Sequence, residues 1–88
     1  MYNVTVEKQE EQIDRPLTFG EKAVGVNFNP SQDEGVAKVK AIMGAAIDQM
    51  NDFRSNTDSG EAKRLASIAV TELQGAQMWA VKAITWKD

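Results

Sequence analysis

Between residues 30 and 86 the apolar side chains recur at helical spacing in two blocks, and a polar turn separates the blocks. In the first block Val36, Val39, Met43, Ala46, Met50 and Phe53 follow steps of 3, 4, 3, 4 and 3. That is the seam of a heptad pattern. Ile42 and Ile47 flank it and widen it. Gly44-Ala45-Ala46 is a small-residue patch where another helix can come close, although the glycine costs about 1 kcal/mol of helix propensity. Residues 54–60, Arg-Ser-Asn-Thr-Asp-Ser-Gly, are turn formers and break the pattern. In the second block Leu65, Ala69, Leu73, Ala76, Ala80 and Ala83 form a seam, while Ile68, Met78, Trp79, Val81, Ile84 and Trp86 lie off it. Two helices of roughly 35 to 40 Å, at ~1.5 Å per residue, joined by a short turn fold back as an antiparallel hairpin. The expected fold is all-α, with long helices over 30–54 and 58–86.

The second helix is apolar on more than one face, and one partner helix cannot cover it. Each large side chain such as Met78, Trp79 or Trp86 gains about 1.5–3 kcal/mol when buried. A single domain of 88 residues hides only about 60% of its unfolded surface. Left exposed, these side chains form a sticky patch, so a homo-oligomer with two-fold interfaces is predicted.

The segment ahead of the hairpin is unusually specified. Thr18-Phe19-Gly20-Glu21 has the form of a capping box and starts a short helix that Gly25 stops. Asn29-Pro30-Ser31-Gln32-Asp33-Glu34 reads as a helix opening, with Asn29 as cap and Pro30 in the first helical position. Residues 17–29 are thus a short capped segment. It holds Asn27 and Phe28 just outside a helix N-terminus, where backbone N–H groups favour an anion. Gly20 and Gly25 share the glycine spacing of a phosphate-binding loop, but no Lys-Ser or Lys-Thr follows, so this is not a P-loop. Residues 1–16 read as an arm. Tyr2, Val4 and Val6 alternate like a strand, residues 7–14 are highly charged, and Arg15-Pro16 ends the run. The arm is either a loose tail or a segment that packs onto a neighbouring subunit.

Composition removes several function classes. The chain has no cysteine and no histidine, so thiolate chemistry, the commonest general base and the commonest transition-metal ligand are missing. A net charge of −3 speaks against a duplex DNA binder that lives on phosphate contacts. No apolar run spans a membrane, no signal peptide is recognisable, and the expected compartment is cytoplasm. Lys63 and Ser67 share a helix face in the manner of a base and nucleophile, but surface pairs do so constantly. Asp48 and Asp52 at i, i+4 are too few for a metal site. No enzyme activity, metal or cofactor is expected. Binding of a small anion fits better. Lys40 follows the seam residue Val39, which places its ammonium at an interface edge, while Lys38 lies on a more exposed side. Each is most simply a solvated helix charge, and Phe28 most simply a hydrophobic staple. Stacked on a planar base, its ring would be worth about 1–3 kcal/mol.

Phe19-Gly-Glu-Lys-Ala-Val-Gly-Val-Asn-Phe-Asn-Pro-Ser31, the Val36-x-x-Val-Lys40 helix, and Arg64-x-x-x-Ile-Ala followed by Leu73-Gln-x-Ala-x-Met-Trp-Ala-Val-Lys-Ala83 resemble the small phage proteins called anti-CBASS protein 2. The resemblance covers about residues 17 to 86. It implies a helical-hairpin homo-oligomer, a hexamer, in the cytoplasm of an infected bacterial host. It implies sequestration, without cleavage, of cyclic dinucleotides such as cyclic GMP-AMP, which keeps CBASS defence effectors inactive. The family pairs an aromatic near the N-terminal end with a lysine on the first long helix, at subunit junctions. Here the lysine matches Lys40 and the aromatic falls to Phe28, or to Tyr2 in the arm, with Asn27, Asn29 and Lys22 nearby. A second family site for cyclic trinucleotides uses an arginine of the second long helix, for which Arg64 is the candidate. A cyclic dinucleotide is nearly two-fold symmetric, and a two-fold interface offers every side chain twice, so a local cationic pair can hold it in an acidic protein. Two other classes compete. A helical-hairpin adaptor or inhibitor of a host protein could use Trp79 and Trp86 as anchors. An acidic DNA mimic needs denser acidic stripes than 13 acids against 10 bases provide.

Overall fold

The computed structural model describes residues 12–88, and among them it contains three helices and no strand. Helix α1 spans Phe19–Val24, α2 spans Glu34–Asn56 and α3 spans Gly60–Ile84. The strand-like alternation around Tyr2 lies outside the described residues.

The ends of α1 are as the sequence requires. Glu21 N donates to Thr18 Oγ1 at 3.1 Å and Thr18 N donates to Glu21 Oε1 at 2.9 Å, which closes the capping box. Gly25 takes φ 64°, a left-handed conformation that glycine enters without a Cβ penalty, and its N–H returns to the Glu21 and Lys22 carbonyls.

Helix α2 begins later than residue 30, and its cap is not Asn29. Asp33 is the N-cap, with its carboxylate accepting from Gly35 N at 2.6 Å and Val36 N at 3.3 Å. Gln32 sits at φ 54°, which no helix can continue through. The five residues before Glu34 form a turn of their own. Ser31 Oγ donates to Asn29 Oδ1 at 2.7 Å, Asn29 Nδ2 to the Asp33 carbonyl at 3.1 Å, and Gln32 N to the Asn29 carbonyl at 3.1 Å. Local side-chain bonds of this kind compete with helix, and with Asn29 spent on Ser31 and Asp33 the Asp33 carboxylate takes the cap. Helix α3 is capped by Ser59 and ends at Ile84, short of Trp86.

The long helices run antiparallel. Gly35 near the start of α2 faces Ile84 at the end of α3, and Arg54 near the end of α2 donates to Ser67 Oγ near the start of α3 at 3.1 Å. Val24, Ile47 and Val70 form the core, one from each helix, with Met43, Met50 and Leu73 packed around them. The buried row on α2 is Val36, Lys40, Gly44 and Ile47, and on α3 it is Ala66, Val70 and Gln77. Phe53 and Leu65, assigned to the seams by their spacing, are about half exposed. The reason is α1. It shares the inner face of the hairpin, so the buried stripes turn toward it and away from a two-helix seam. Its approach is very close: a Cβ on Gly20 would lie 2.0 Å from the Gly44 carbonyl oxygen. Gly20 N donates to Asp48 Oδ1 at 2.7 Å and Gln74 Nε2 to the Ala23 carbonyl at 3.4 Å. The outer apolar residues of α3 are uncovered, with Trp79 73% exposed. No helix among the described residues is long and apolar enough to cross a membrane.

Candidate ligand-binding site

Lys40 is the unusual residue of this fold. It is a lysine in the buried row of α2, only 5% exposed. Its Nζ donates to the Gly25 carbonyl at 3.1 Å and, by a short bond, to the Phe28 carbonyl. The same nitrogen lies 5.4 Å from the centroid of the Phe28 ring, within the range of a cation–π contact. The expectation of an ammonium at an interface edge is therefore corrected. Chain reversal after α1 leaves carbonyls pointing inward, and a cation at a helix C-terminus satisfies them and suits the dipole. Burial pushes the Lys40 ammonium down from its ordinary pKa of 10.5. Lys38 is exposed, as its position predicted.

Phe28 is not a staple beneath the helix. Its ring is 71% exposed, standing over the buried ammonium. The asparagines on either side are tied down. Asn27 Oδ1 accepts from Ile13 N at 3.0 Å and its Nδ2 donates to the Ile13 carbonyl at 3.0 Å, a two-bond clamp on the segment before α1. Asn29 belongs to the turn that leads to Asp33. Lys22 is exposed on α1, and Tyr2 lies outside the described residues. Arg64 pairs with Glu61 at 2.6 Å on the first turns of α3, at the opposite end of the hairpin from Lys40. The structure therefore gathers Lys40, Phe28, Asn27 and Asn29 around the turn between α1 and α2, and leaves Arg64 apart. The α2 N-terminus is not open to an external anion, because the Asp33 carboxylate occupies its first N–H groups.

The alternatives read from sequence meet ordinary partners. Ser67 accepts from Arg54, and Asp48 accepts the Gly20 N–H. No group of three or more metal-ligating side chains forms among the described residues. Sequence reasoning missed the Arg15–Glu21 pair at 2.7 Å. The hydrogen bond from Arg15, with smaller help from Thr18, holds the Glu21 carboxyl down at about 2 despite partial burial. It also missed the stack of Arg54 over the Phe19 ring at 5.3 Å. Neither has a spacing signal: the first depends on how the chain enters α1, the second on how α1 docks on α2.

No curated protein and no solved structure matches this chain. A family model described as Acb2/Tad1, hairpin domain, matches residues 21–85. The match takes in the end of α1, the turn that carries Phe28, and both long helices. This chain belongs to the Acb2/Tad1 hairpin-domain family.

Proposed function

We propose that this protein is a phage sponge for cyclic dinucleotides such as cyclic GMP-AMP, acting in the cytoplasm of the infected bacterium. By sequestering the signal it keeps CBASS effectors inactive. Family membership supports this reading, and one observation within the chain carries it: an exposed aromatic ring placed 5.4 Å from a buried ammonium, on a turn built by side-chain bonds. Phe28 offers a stacking face for a base, and Lys40 offers a charge-assisted contact to phosphate. An ammonium, a ring and amides can hold a dianion but form no acid–base or nucleophile pair near neutral pH. The ligand leaves as it came.

Assembly belongs to the same proposal. Between α2 and α3, Ala46, Met50, Ala69, Leu73 and Ala76 line a shallow apolar groove, next to the uncovered side chains of α3. Hairpins packed through this face, as a hexamer, present Lys40 and Phe28 in symmetric pairs to a two-fold ligand. Arg64 is the residue proposed for a cyclic trinucleotide, and it is bonded to Glu61 through Nε and Nη2. A helical-hairpin adaptor is the second reading, favoured by the exposure of Trp79 and Trp86. Mass spectrometry of nucleotides released on denaturing the protein, after incubation with cyclic GMP-AMP and magnesium, tests the choice. Intact cyclic nucleotide in stoichiometric amount is the expected result. Linear product in proportion to protein contradicts the sponge, and no nucleotide at all favours the adaptor.

A further inference from the structure

We propose that Lys40 is latched in the free protein: the Gly25 and Phe28 carbonyls hold its ammonium under the Phe28 ring, and an anion reaches it only when Phe28 swings away. That the anion is a cyclic dinucleotide rests on the function proposed above; the latch itself rests on the geometry. A lysine ammonium has three donor protons. Two go to carbonyls of the turn, and the nitrogen faces the ring. At 5% exposure no phosphate oxygen can approach to the ~2.7–2.9 Å of a charge-assisted bond in this arrangement, and the exposed Phe28 ring is the neighbour freest to move.

The moving part is one residue. Asn27 is clamped to Ile13 and Asn29 is bound into the turn before Asp33. Between them the Phe28 side chain is exposed and unanchored by core. Rotation of the ring uncovers the ammonium, and its third donor proton then goes to a phosphate while the two carbonyls stay bonded. That contact favours strongly charged ligands over weak anions. The closed state lowers apparent affinity by the fraction of time the site is open. The ring that acts as cover becomes the platform on which a base stacks.

Competitive acetylation of the full-length assembled protein, read peptide by peptide, tests the latch without any nucleotide. In wild type, Lys40 should acetylate about tenfold or more slowly than exposed Lys38, since reaction requires local opening. Phe28→Ala, at a solvent-exposed side chain, should raise the Lys40 rate by about tenfold and leave Lys38 unchanged. Lys40 reacting as fast as Lys38 in wild type overturns the latch. So does a Lys40 rate that Phe28→Ala does not change, which would mean that burial by the helices alone protects it. Failure of cyclic GMP-AMP to bind would count against the proposed function and not against these rates.

Discussion

Lys40 has a structural role and a proposed binding role, and measurement can separate them. In the folded protomer it is the internal counterpart of the Gly25 and Phe28 carbonyls. Removing it leaves two inward-facing acceptors unpaired, at about 1–3 kcal/mol each when no water replaces it. Lys40→Ala should therefore lower the thermal midpoint, while Lys38→Ala should not, as circular dichroism melts would show. An unchanged midpoint for Lys40→Ala would mean that the carbonyls find water easily. Glu21 makes a pH prediction. Its carboxyl is held at about 2 in the folded chain against an ordinary 4.5, so the unfolded state binds the proton first as pH falls. The stabilisation is complete above about 4.5 and is lost as pH falls through about 2. Urea unfolding should show Glu21→Gln less stable than wild type at pH 7, with a constant difference down to about pH 4.5 that closes below it. A difference that grew on acidification would have the wrong sign for this pair.

At the scale of elements, α1 decides much of what sequence could and could not show. Its own limits were legible, because a Thr18–Glu21 box and a left-handed Gly25 are local devices. The hairpin was legible too, because two long apolar periodicities flank a turn. Which side of each helix is buried was legible only in part. Of the residues marked by spacing, Val36 is buried and Met43, Met50 and Leu73 pack against the core, but Phe53 and Leu65 are about half exposed and the buried rows also take in Lys40, Gly44, Ile47 and Val70, since α1 occupies part of the inner face. The start of α2 was misplaced because Asn29 and Ser31 look like caps but bond each other, while Asp33 takes the role. For the candidate site, Phe28 and Lys40 were marked by their places beside the helix start and the seam and again by the family resemblance, yet the carbonyl partners of Lys40 follow from docking and leave no trace in spacing. Two substitutions test this packing. Gly20→Ala would drive a methyl to 2.0 Å from the Gly44 carbonyl oxygen, so α1 must move, and a loss of about 1–3 kcal/mol or more is expected in denaturant unfolding. Gln77 is buried in α3, and its carboxamide has no hydrogen-bond partner among the described residues. Gln77→Met should stabilise by about 1 kcal/mol. A comparable loss of stability would show that the amide is satisfied by water or by another subunit.

At the scale of the whole molecule, an 88-residue chain that leaves Trp79, Met78 and Trp86 largely exposed carries an apolar face that the proposed assembly would cover. Because Trp79 contributes little to the protomer core, Trp79→Glu should dissociate the assembly while leaving the helices intact. Light scattering combined with circular dichroism would show both, and a wild-type monomer at micromolar concentration would contradict the proposed hexamer. In the proposed assembly a symmetric ligand would meet Lys40 twice. The most direct test of the proposed function is calorimetric titration of cyclic GMP-AMP into wild type, Lys38→Ala and Lys40→Ala, well below the melting point of each. The loss of charge-assisted contacts on both sides of the ligand predicts binding weakened by roughly 10² or more for Lys40→Ala, at ~1.4 kcal/mol per tenfold, with Lys38→Ala near wild type. Folded Lys40→Ala that binds as tightly as wild type would contradict the placement of the site.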